Sequence, residues 1–563
     1  MQAALTLLEA LCLQGLKQLV LCPGSRSGPL ATAAGMLASQ AKLQLVTAID
    51  ERSAAFLALG MATAHGRAVA VVTTSGTAVA NLLPAAVEAD RSCQPLLLLT
   101  ADRPARLKNC GANQTVNQES FLLSACRWFA SGAADGVHTQ ASNALNALAV
   151  QAWQQAQGAG TGPPGAVHLN LPFEEPLHTT LEQQQQLVSA ALPPTAFPEP
   201  SREIAPAPRL DPERPGVVIA GPWRGLSPAA EAFQQALHRW LNLSGWPLLA
   251  DPLAALAPDC PNRIEHWELQ LDRLNLPHDA QVLRLGPMPA SRRLEAWLQR
   301  HQGPQLVITE GDSRPLDPLQ VASQWSGGMA AWIAQQLGLD KQSKPSVGTD
   351  DLSAWIEAQL PLRGAVNEPA LAHWLPQLLP ERLPVMLAAS SPVRDWLTWG
   401  GPACGRHRCF SFRGASGIDG TLSLAMGLAA NLGPLALVSG DLALLHDSNG
   451  WLHASSAAAA AAPPLLVLLI DNGGGGIFQQ LPIATPGFES LFAMPQQVDP
   501  LALAAAHGVP GRQVACLEDL QEALAWGLSQ HRPVLLRLCS DRGRDAALRQ
   551  QLRAAAQNER TEP

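Results

Sequence analysis

The sequence predicts an α/β chain built as three doubly wound parallel-sheet domains in series. Short apolar runs of strand length alternate with Ala/Leu-rich helical stretches along the chain, the pattern of parallel sheets covered by helices on both faces. At 563 residues the chain is too long for a single core. Two breaks in composition divide it, a proline-rich stretch near 188–215 and a polar one near 340–352. The expected domains are therefore 1–187, 216–350 and 351–563, with 188–215 as a semi-rigid linker.

In the first domain the expected strands are 18–22, 43–49, 68–73 and 96–100, and "AVHLNLPFEEPL" forms the last strand and exit. "VVTTSGTAVANLLPAAVEA" reads as a strand, a Ser/Gly/Thr turn and a helix beginning near Thr77. The central domain offers strands at 217–220, 247–250, 282–285 and 306–309, none followed by the GxGxxG of a dinucleotide fold. The third offers 385–388, 409–412, 435–438, 465–470 and 534–538. The alanine tract 454–464 reads as the end of a surface helix stopped by its prolines, and the last twenty residues as a terminal helix with a frayed tail.

Composition excludes several classes of function. A net charge of −8 with no Lys/Arg tract argues against nucleic-acid binding. No apolar run reaches the roughly 18 residues of a membrane span, and the N-terminus lacks the basic region of a signal peptide. Ten scattered cysteines include no CxxC; Cys404 and Cys409 around His407 come nearest to a cluster and read as thiols beside a turn. A reducing, cytoplasmic setting is expected, and any anionic ligand must be met by local arginines.

Chemistry concentrates at strand ends. The run 435–438 delivers Asp441, and the run 465–470 delivers Asp471, Asn472 and four glycines, to the carboxyl edge of one sheet. A carboxylate, a carboxamide and exposed carbonyls are hard oxygen donors of the kind Mg²⁺ takes when it also holds a phosphate, and glycines let backbone approach a diphosphate. In the first domain a strand ends at Asp50-Glu51-Arg52. A buried Glu there can hold or share a proton near neutrality, whereas a solvated one would only favour the helix macrodipole.

Glu51, "TTSGTAVAN" and "GDL…DNGGGGIF" in three α/β domains together resemble the thiamine diphosphate-dependent decarboxylase superfamily. Narrower matches, "CPGSRSGPL", "DERSAAFLALG", "TSGTAVANLLPA", "LTADRP", "CGANQT" and "FRGASGIDG", resemble the branch that joins 2-oxoglutarate to isochorismate in menaquinone and phylloquinone biosynthesis. The resemblance spans the first and third domains and is weak in the middle, where only "SRRLEAW" matches.

The resemblance implies thiamine diphosphate and Mg²⁺ (or Mn²⁺) as cofactors. Glu51 would hydrogen-bond the pyrimidine N1′ and favour the imino tautomer whose nitrogen deprotonates thiazolium C2. Asp441, Asn472 and the Gly474 carbonyl would hold the metal. Thr74, Ser390, Ser391, Gly440, Leu442 and Ile477 would contact the cofactor, and Ile418 would be the wedge that bends it. Both substrates are dicarboxylates, and guanidinium forks bind both oxygens of a carboxylate at once. The matching positions are Arg26, Arg103, Arg292, Arg293, Arg394 and Arg413, with Ser25, Gln114 and Ser390 as neutral donors and Phe478 and Leu481 as an apolar wall.

Three departures stand out against the family pattern. Leu442 replaces a glycine, Asp471 and Gly473 flank Asn472 where asparagines are usual, and Arg292 replaces a common lysine. Asp441 and Asn472 also lie farther apart in sequence than is usual, the excess falling in the alanine tract. The resemblance further implies a homodimer or dimer of dimers, with Glu51 and Asp441 of one site on different chains. Two other readings are another thiamine diphosphate-dependent 2-oxoacid decarboxylase or carboligase, such as an acetolactate-synthase type, and a catalytically silent relative. The arginines disfavour the first and retention of Glu51 and Asp441 the second.

Overall fold

The computed structural model describes residues 1–158, 162–187, 205–336, 352–454 and 464–558. Most of the proline-rich linker, of the polar break and of the alanine tract, with the C-terminal tail, lies outside the described residues. Three parallel sheets carry the fold. The first holds β1 (Gln18–Leu21), β2 (Gln44–Thr47), β3 (Val69–Thr73), β4 (Leu96–Asp102), β5 (Trp128–Ser131) and β6 (Ala166–Pro172), in the order β2-β1-β3-β4-β6-β5. Central strands β3, β4 and β6 are buried along their whole length, which is why they read as continuous apolar runs.

The second sheet holds β7 (Gly216–Ala220), β8 (Leu248–Ala250), β9 (Gln281–Leu285), β10 (Gln305–Ile308) and β11 (Ser323–Trp325), ordered β11-β10-β9-β7-β8. The third holds β12 (Val385–Leu387), β13 (Cys409–Phe410), β14 (Leu435–Gly440), β15 (Leu465–Asp471), β16 (Gly511–Val514) and β17 (Val534–Cys539), ordered β13-β12-β14-β15-β17-β16. The first and third sheets share one topology. In the third, Gly440 pairs with Ile470, so Asp441 and Asp471 leave adjacent strands side by side.

Sequence patterning missed the edge strands β5, β11 and β16, whose side chains are mostly half-buried or exposed and so form no apolar run. The helix expected from Thr77 is two helices, Thr77–Ala80 and Leu83–Ser92, the second with Pro84 in its first turn, where a missing N–H costs nothing.

By contacts the chain forms two compact units. One comprises Met1–Arg202 with Arg413–Gly433 and Asp447–Pro463, and the other Glu203–Phe412 with Pro434–His446 and Pro464–Pro563. The helix Thr421–Leu432 thus packs in the first unit although its flanking strands belong to the third sheet. Its partner is the helix Glu51–His65, and the approach is close. A Cβ on Gly60 would stand 2.2 Å from the Leu424 carbonyl oxygen, and one on Gly427 2.1 Å from that of Leu57.

Candidate functional site

In the first unit the candidate residues gather at the carboxyl ends of β1, β3 and β4. Arg26, 7% exposed, donates from Nη1 to the Phe173 carbonyl (2.9 Å) and lies 3.4 Å from Glu175. Its Nε has no partner. Arg103 donates to Ser75 Oγ (2.7 Å) and to the Gln114 carbonyl (2.8 Å), and Gln114 Nε2 donates to the Ser75 carbonyl (2.8 Å). Burial, and then the nearby Arg26 guanidinium, lower the Arg103 pKa. Arg26 is near enough to act on Arg103, and Asp102 and Glu175 partly offset the two charges. Thr74 lies against the loop that carries Ser25, since a Cβ on Gly24 would stand 2.3 Å from Thr74 Cβ.

Glu51 opens the helix Glu51–His65, whose N-cap Asp50 accepts from the backbone N–H of Arg52 (2.9 Å) and Ser53 (3.1 Å). It is half-buried rather than enclosed, and Oε2 accepts from Asn81 Nδ2 at 3.2 Å. Beneath it lies a buried polar chain that the sequence did not announce. Ser53 Oγ is 2.7 Å from Ser423 Oγ and 2.8 Å from His453 Nε2. Ser423 donates through N–H (2.7 Å) and Oγ (3.1 Å) to Asp447, which is fully buried. Burial pushes the Asp447 carboxyl up to about 7 and the His453 imidazole down to about 4. The loop of "FRGASGIDG" is fixed by Glu88, whose carboxylate accepts from the N–H of Gly414 (2.8 Å) and Ala415 (2.6 Å). That loop carries Arg413, near Ser416 at 3.5 Å, and Ile418, whose carbonyl accepts from Thr421 Oγ1.

In the second unit the ends of β14 and β15 meet as expected. Asp441 Oδ1 accepts from Leu442 N–H and Oδ2 from Gly474 N–H, both at 2.7 Å. Burial still raises its pKa to about 6. Gly474 must be glycine: its φ is 118°, and a Cβ would stand 2.0 Å from the Ala493 carbonyl oxygen. Asp471, the added charge of the sequence reading, is neutralised by Arg537, with Nε and Nη2 each 2.7 Å from Oδ2. Asn472 donates from Nδ2 to Glu368 Oε1 at 2.7 Å, and its Oδ1 is buried without a partner.

Ser390 stands in the left-handed region at φ 76°, a strained position for a residue with a Cβ, and accepts from Arg394 Nη1 at 2.6 Å. It precedes the helix Ser391–Trp399, whose first N–H groups suit an anion. Phe478 packs on Phe492 with centroids 5.7 Å apart, and the Leu481 N–H donates to the Phe478 carbonyl at 3.1 Å. Ile477 and Phe478 share the short helix Gly476–Gln480.

The central sheet contributes Arg292 and Arg293 at the start of the helix Arg292–Arg300, capped by Ser291. Arg292 is exposed, while Arg293 is engaged with Asp272 (2.6 Å) and the Glu268 carbonyl (2.7 Å). His407 is no ligand, since both ring nitrogens face backbone carbonyls, of Leu383 (2.9 Å) and Pro376 (2.8 Å).

Among the described residues no group of three His, Cys, Asp or Glu side chains could hold a metal. The donor set at Asp441 is instead a carboxylate, a carboxamide oxygen and a carbonyl, with open space above Gly440, where a Cβ would meet nothing within 4 Å. Those donors, and an acceptor buried with nothing to accept from, fit a hard divalent cation holding a phosphate.

Comparison with known proteins agrees with this chemistry. Residues 1–121 match the N-terminal binding domain of thiamine pyrophosphate enzymes, 176–385 their middle domain and 403–538 their C-terminal binding domain. A thiamine diphosphate-dependent 4-hydroxybenzoylformate decarboxylase of Rhodococcus jostii RHA1 shares the fold, with a TM-score of 0.70 at 15% identity over 96% of this chain and 99% of its own. These matches define the class as thiamine diphosphate-dependent enzymes.

Relatives narrow it. A 2-succinyl-5-enolpyruvyl-6-hydroxy-3-cyclohexene-1-carboxylate synthase of Synechococcus sp. (strain CC9605) is 91% identical over the full length of both chains. Proteins of the same name from Parasynechococcus marenigrum (strain WH8102) and Prochlorococcus marinus (strain NATL1A) are 67% and 47% identical, over 96% and 97% of this chain and 99% and 95% of theirs. The chain belongs to the family of 2-succinyl-5-enolpyruvyl-6-hydroxy-3-cyclohexene-1-carboxylate synthases. No described helix is long and apolar enough to cross a membrane.

Proposed function

We propose that this chain decarboxylates 2-oxoglutarate and adds the resulting succinyl carbanion equivalent to isochorismate in a 1,4-addition, giving 2-succinyl-5-enolpyruvyl-6-hydroxy-3-cyclohexene-1-carboxylate and CO₂. The observation that carries this reading is the 91% identity, end to end, to a protein of that name. Bound thiamine diphosphate supplies a carbon acid whose conjugate base adds to the 2-oxo group and takes up the electrons left by CO₂.

The chain's residues divide the remaining work. Glu51 holds a proton against the pyrimidine ring. Asp441, Asn472 and the Gly474 carbonyl hold Mg²⁺ (or Mn²⁺), while Thr74, Ser390, Ser391, Gly440, Leu442 and Ile477 line the cofactor and Ile418 supports its bend. Arg26, Arg103, Arg292, Arg293, Arg394 and Arg413, with Ser25, Gln114 and Ser390, orient the substrate carboxylates. Phe478 and Leu481 exclude water beside the ring. The proximity of Arg26 to Arg103 supports this assignment, because a substrate carboxylate bound near both would be favoured by the two positive charges.

A homodimer or dimer of dimers in the cytoplasm, with Glu51 and Asp441 of one site on different chains, completes the proposal, as do domain limits at 1–187, 216–350 and 351–563. An assay with 2-oxoglutarate, isochorismate, thiamine diphosphate and Mg²⁺, leaving out each in turn, tests it. Product should form only when all four are present; pyruvate turnover without isochorismate-dependent loss of 2-oxoglutarate would point to an acetolactate-synthase type instead.

A further inference from the structure

A buried chain of polar side chains runs beneath Arg103 in the first unit, and none of the proposed roles uses it. Gln118, Asn170 and Asp102 are each 0% exposed. Gln118 Oε1 accepts from the Gly76 N–H at 2.9 Å, while Nε2 donates to the Ala101 carbonyl (3.1 Å) and to Asn170 Oδ1 (2.8 Å). Asn170 Nδ2 donates to Asp102 Oδ2 at 2.9 Å, and Asp102 Oδ1 accepts from the Arg103 N–H at 2.7 Å.

Backbone groups fix the direction of these bonds. An N–H only donates and a carbonyl only accepts, so Gly76 must meet the Gln118 oxygen and Ala101 its nitrogen. Asn170 then turns its oxygen to Gln118 and its nitrogen to Asp102. Every polar atom of the three side chains has a partner, and a buried network satisfied in full is rigid.

The chain ties two strand ends together. Gly76 belongs to the turn after β3, whose Ser75 Oγ accepts from Arg103 Nη1 at 2.7 Å, while Ala101 and Asp102 close β4 and lead directly into Arg103. Gln114 is pressed on the same turn. Its backbone is held at φ 57°, and its carbonyl accepts from both Ser75 Oγ (3.1 Å) and Arg103 Nη1 (2.8 Å). Arg103 thus commits Nη1 to the framework. Among the described residues its Nε and Nη2 make no hydrogen bond, and these two groups form the edge of a guanidinium that takes both oxygens of a carboxylate.

We infer that Gln118, set by Asn170 and Asp102, is a positioning residue that fixes the Ser75–Gly76 turn against β4 so that Arg103 presents its Nε–Nη2 edge to a substrate carboxylate. Gln118 is enclosed and acts through Arg103. The inference rests on the reading of Arg103 as a substrate ligand.

Steady-state kinetics of the full-length enzyme, saturated with thiamine diphosphate and Mg²⁺, test it by varying 2-oxoglutarate and isochorismate in turn. Gln118→Met keeps the length of the side chain and removes both of its hydrogen-bonding ends. It should raise KM about tenfold for one substrate, the same one whose KM rises in Arg103→Lys, a hydrogen bond to a charged group being worth about that factor. The other KM should stay within about twofold of wild type. Added to Arg103→Lys, which keeps the charge but loses the fork, Gln118→Met should raise the affected KM by no more than about twofold further, since no fork remains to be aimed. A side chain needed only for folding would move both KM values together or neither. Gln118→Asn, too short to reach Gly76 and Ala101 at once, gives the same reading should Gln118→Met fail to fold, as checked by circular dichroism and thermal midpoint.

Both KM values within about twofold of wild type in a folded Gln118→Met, a rise in both alike, or a rise of about tenfold that persists on top of Arg103→Lys would overturn the inference. So would failure of both Gln118 variants to fold, which would make the residue structural. Arg103→Lys separates the two levels of the reading. If it leaves both KM values unchanged, Arg103 is not a substrate ligand; if it raises one and Gln118→Met raises neither, only the positioning role falls.

Discussion

Asp50, Glu51 and Ser53 share one helical turn and divide its work. Asp50 caps the helix, Ser53 anchors it to Ser423 and His453, and Glu51 is left directed at Asn81 with its carboxylate half-exposed. Glu51→Gln preserves size and the cap, so thiamine diphosphate affinity by fluorescence titration should change little. Its kcat should fall about 10²-fold or more, since proton transfer by a placed side chain is worth that much. Beneath Glu51, two buried groups titrate in opposition. His453, lowered to about 4 from an ordinary 6.5, favours the fold while neutral, so its contribution is present above pH 6.5 and lost as pH falls toward 4. Asp447, raised to about 7 from 3.8, favours the fold while protonated, so its contribution is present below pH 3.8 and lost as pH rises toward 7. Between pH 4 and 6.5 the two offset each other. Asp447→Asn removes one of them, and its urea midpoint should then rise with pH across that window relative to wild type, by about 3 kcal/mol of stability in all. A parallel pH profile in the two proteins would contradict this account of the cluster.

At the scale of elements, the contact between helices Glu51–His65 and Thr421–Leu432 depends on Gly60 and Gly427, each facing the other helix's carbonyls. Gly60→Ala should lower the denaturation midpoint, overpacking of this kind costing about 1–3 kcal/mol despite alanine's better helix propensity. Fourteen of the seventeen described strands were legible in outline, since central parallel strands are buried on both faces and read as uninterrupted apolar runs, as "LLLLTAD" and "LLVLLID" do. Edge strands such as Gly511–Val514 carry no such run and were not. The helix Thr421–Leu432 is apolar on nearly every face, so its sequence does not say which sheet it covers. The residues proposed to face the cofactor stand out in the sequence because most of them follow a strand in a short motif. Their supports, Ser53 with Ser423, Glu88 with Gly414 and Asn472 with Glu368, do not, because each pair is separated by more than a hundred residues and is set only by tertiary packing.

On the scale of the whole molecule, an acidic chain assembles local cation sites, with Arg26 beside Arg103 in one unit and Arg394 on Ser390 in the other. The repeated strand order of the first and third sheets gives each unit a set of strand ends of the same kind, one carrying Glu51 and the other Asp441 and Asn472. We propose that these two sets, taken from different chains, make one thiamine diphosphate site. Co-expression of Glu51→Gln with Asp441→Ala chains, each inactive alone, and purification through two tags measures this directly. If the sets are shared between chains, mixed assemblies contain sites with both residues intact and should recover about a quarter to a half of wild-type activity. Activity no higher than that of either parent would contradict the account.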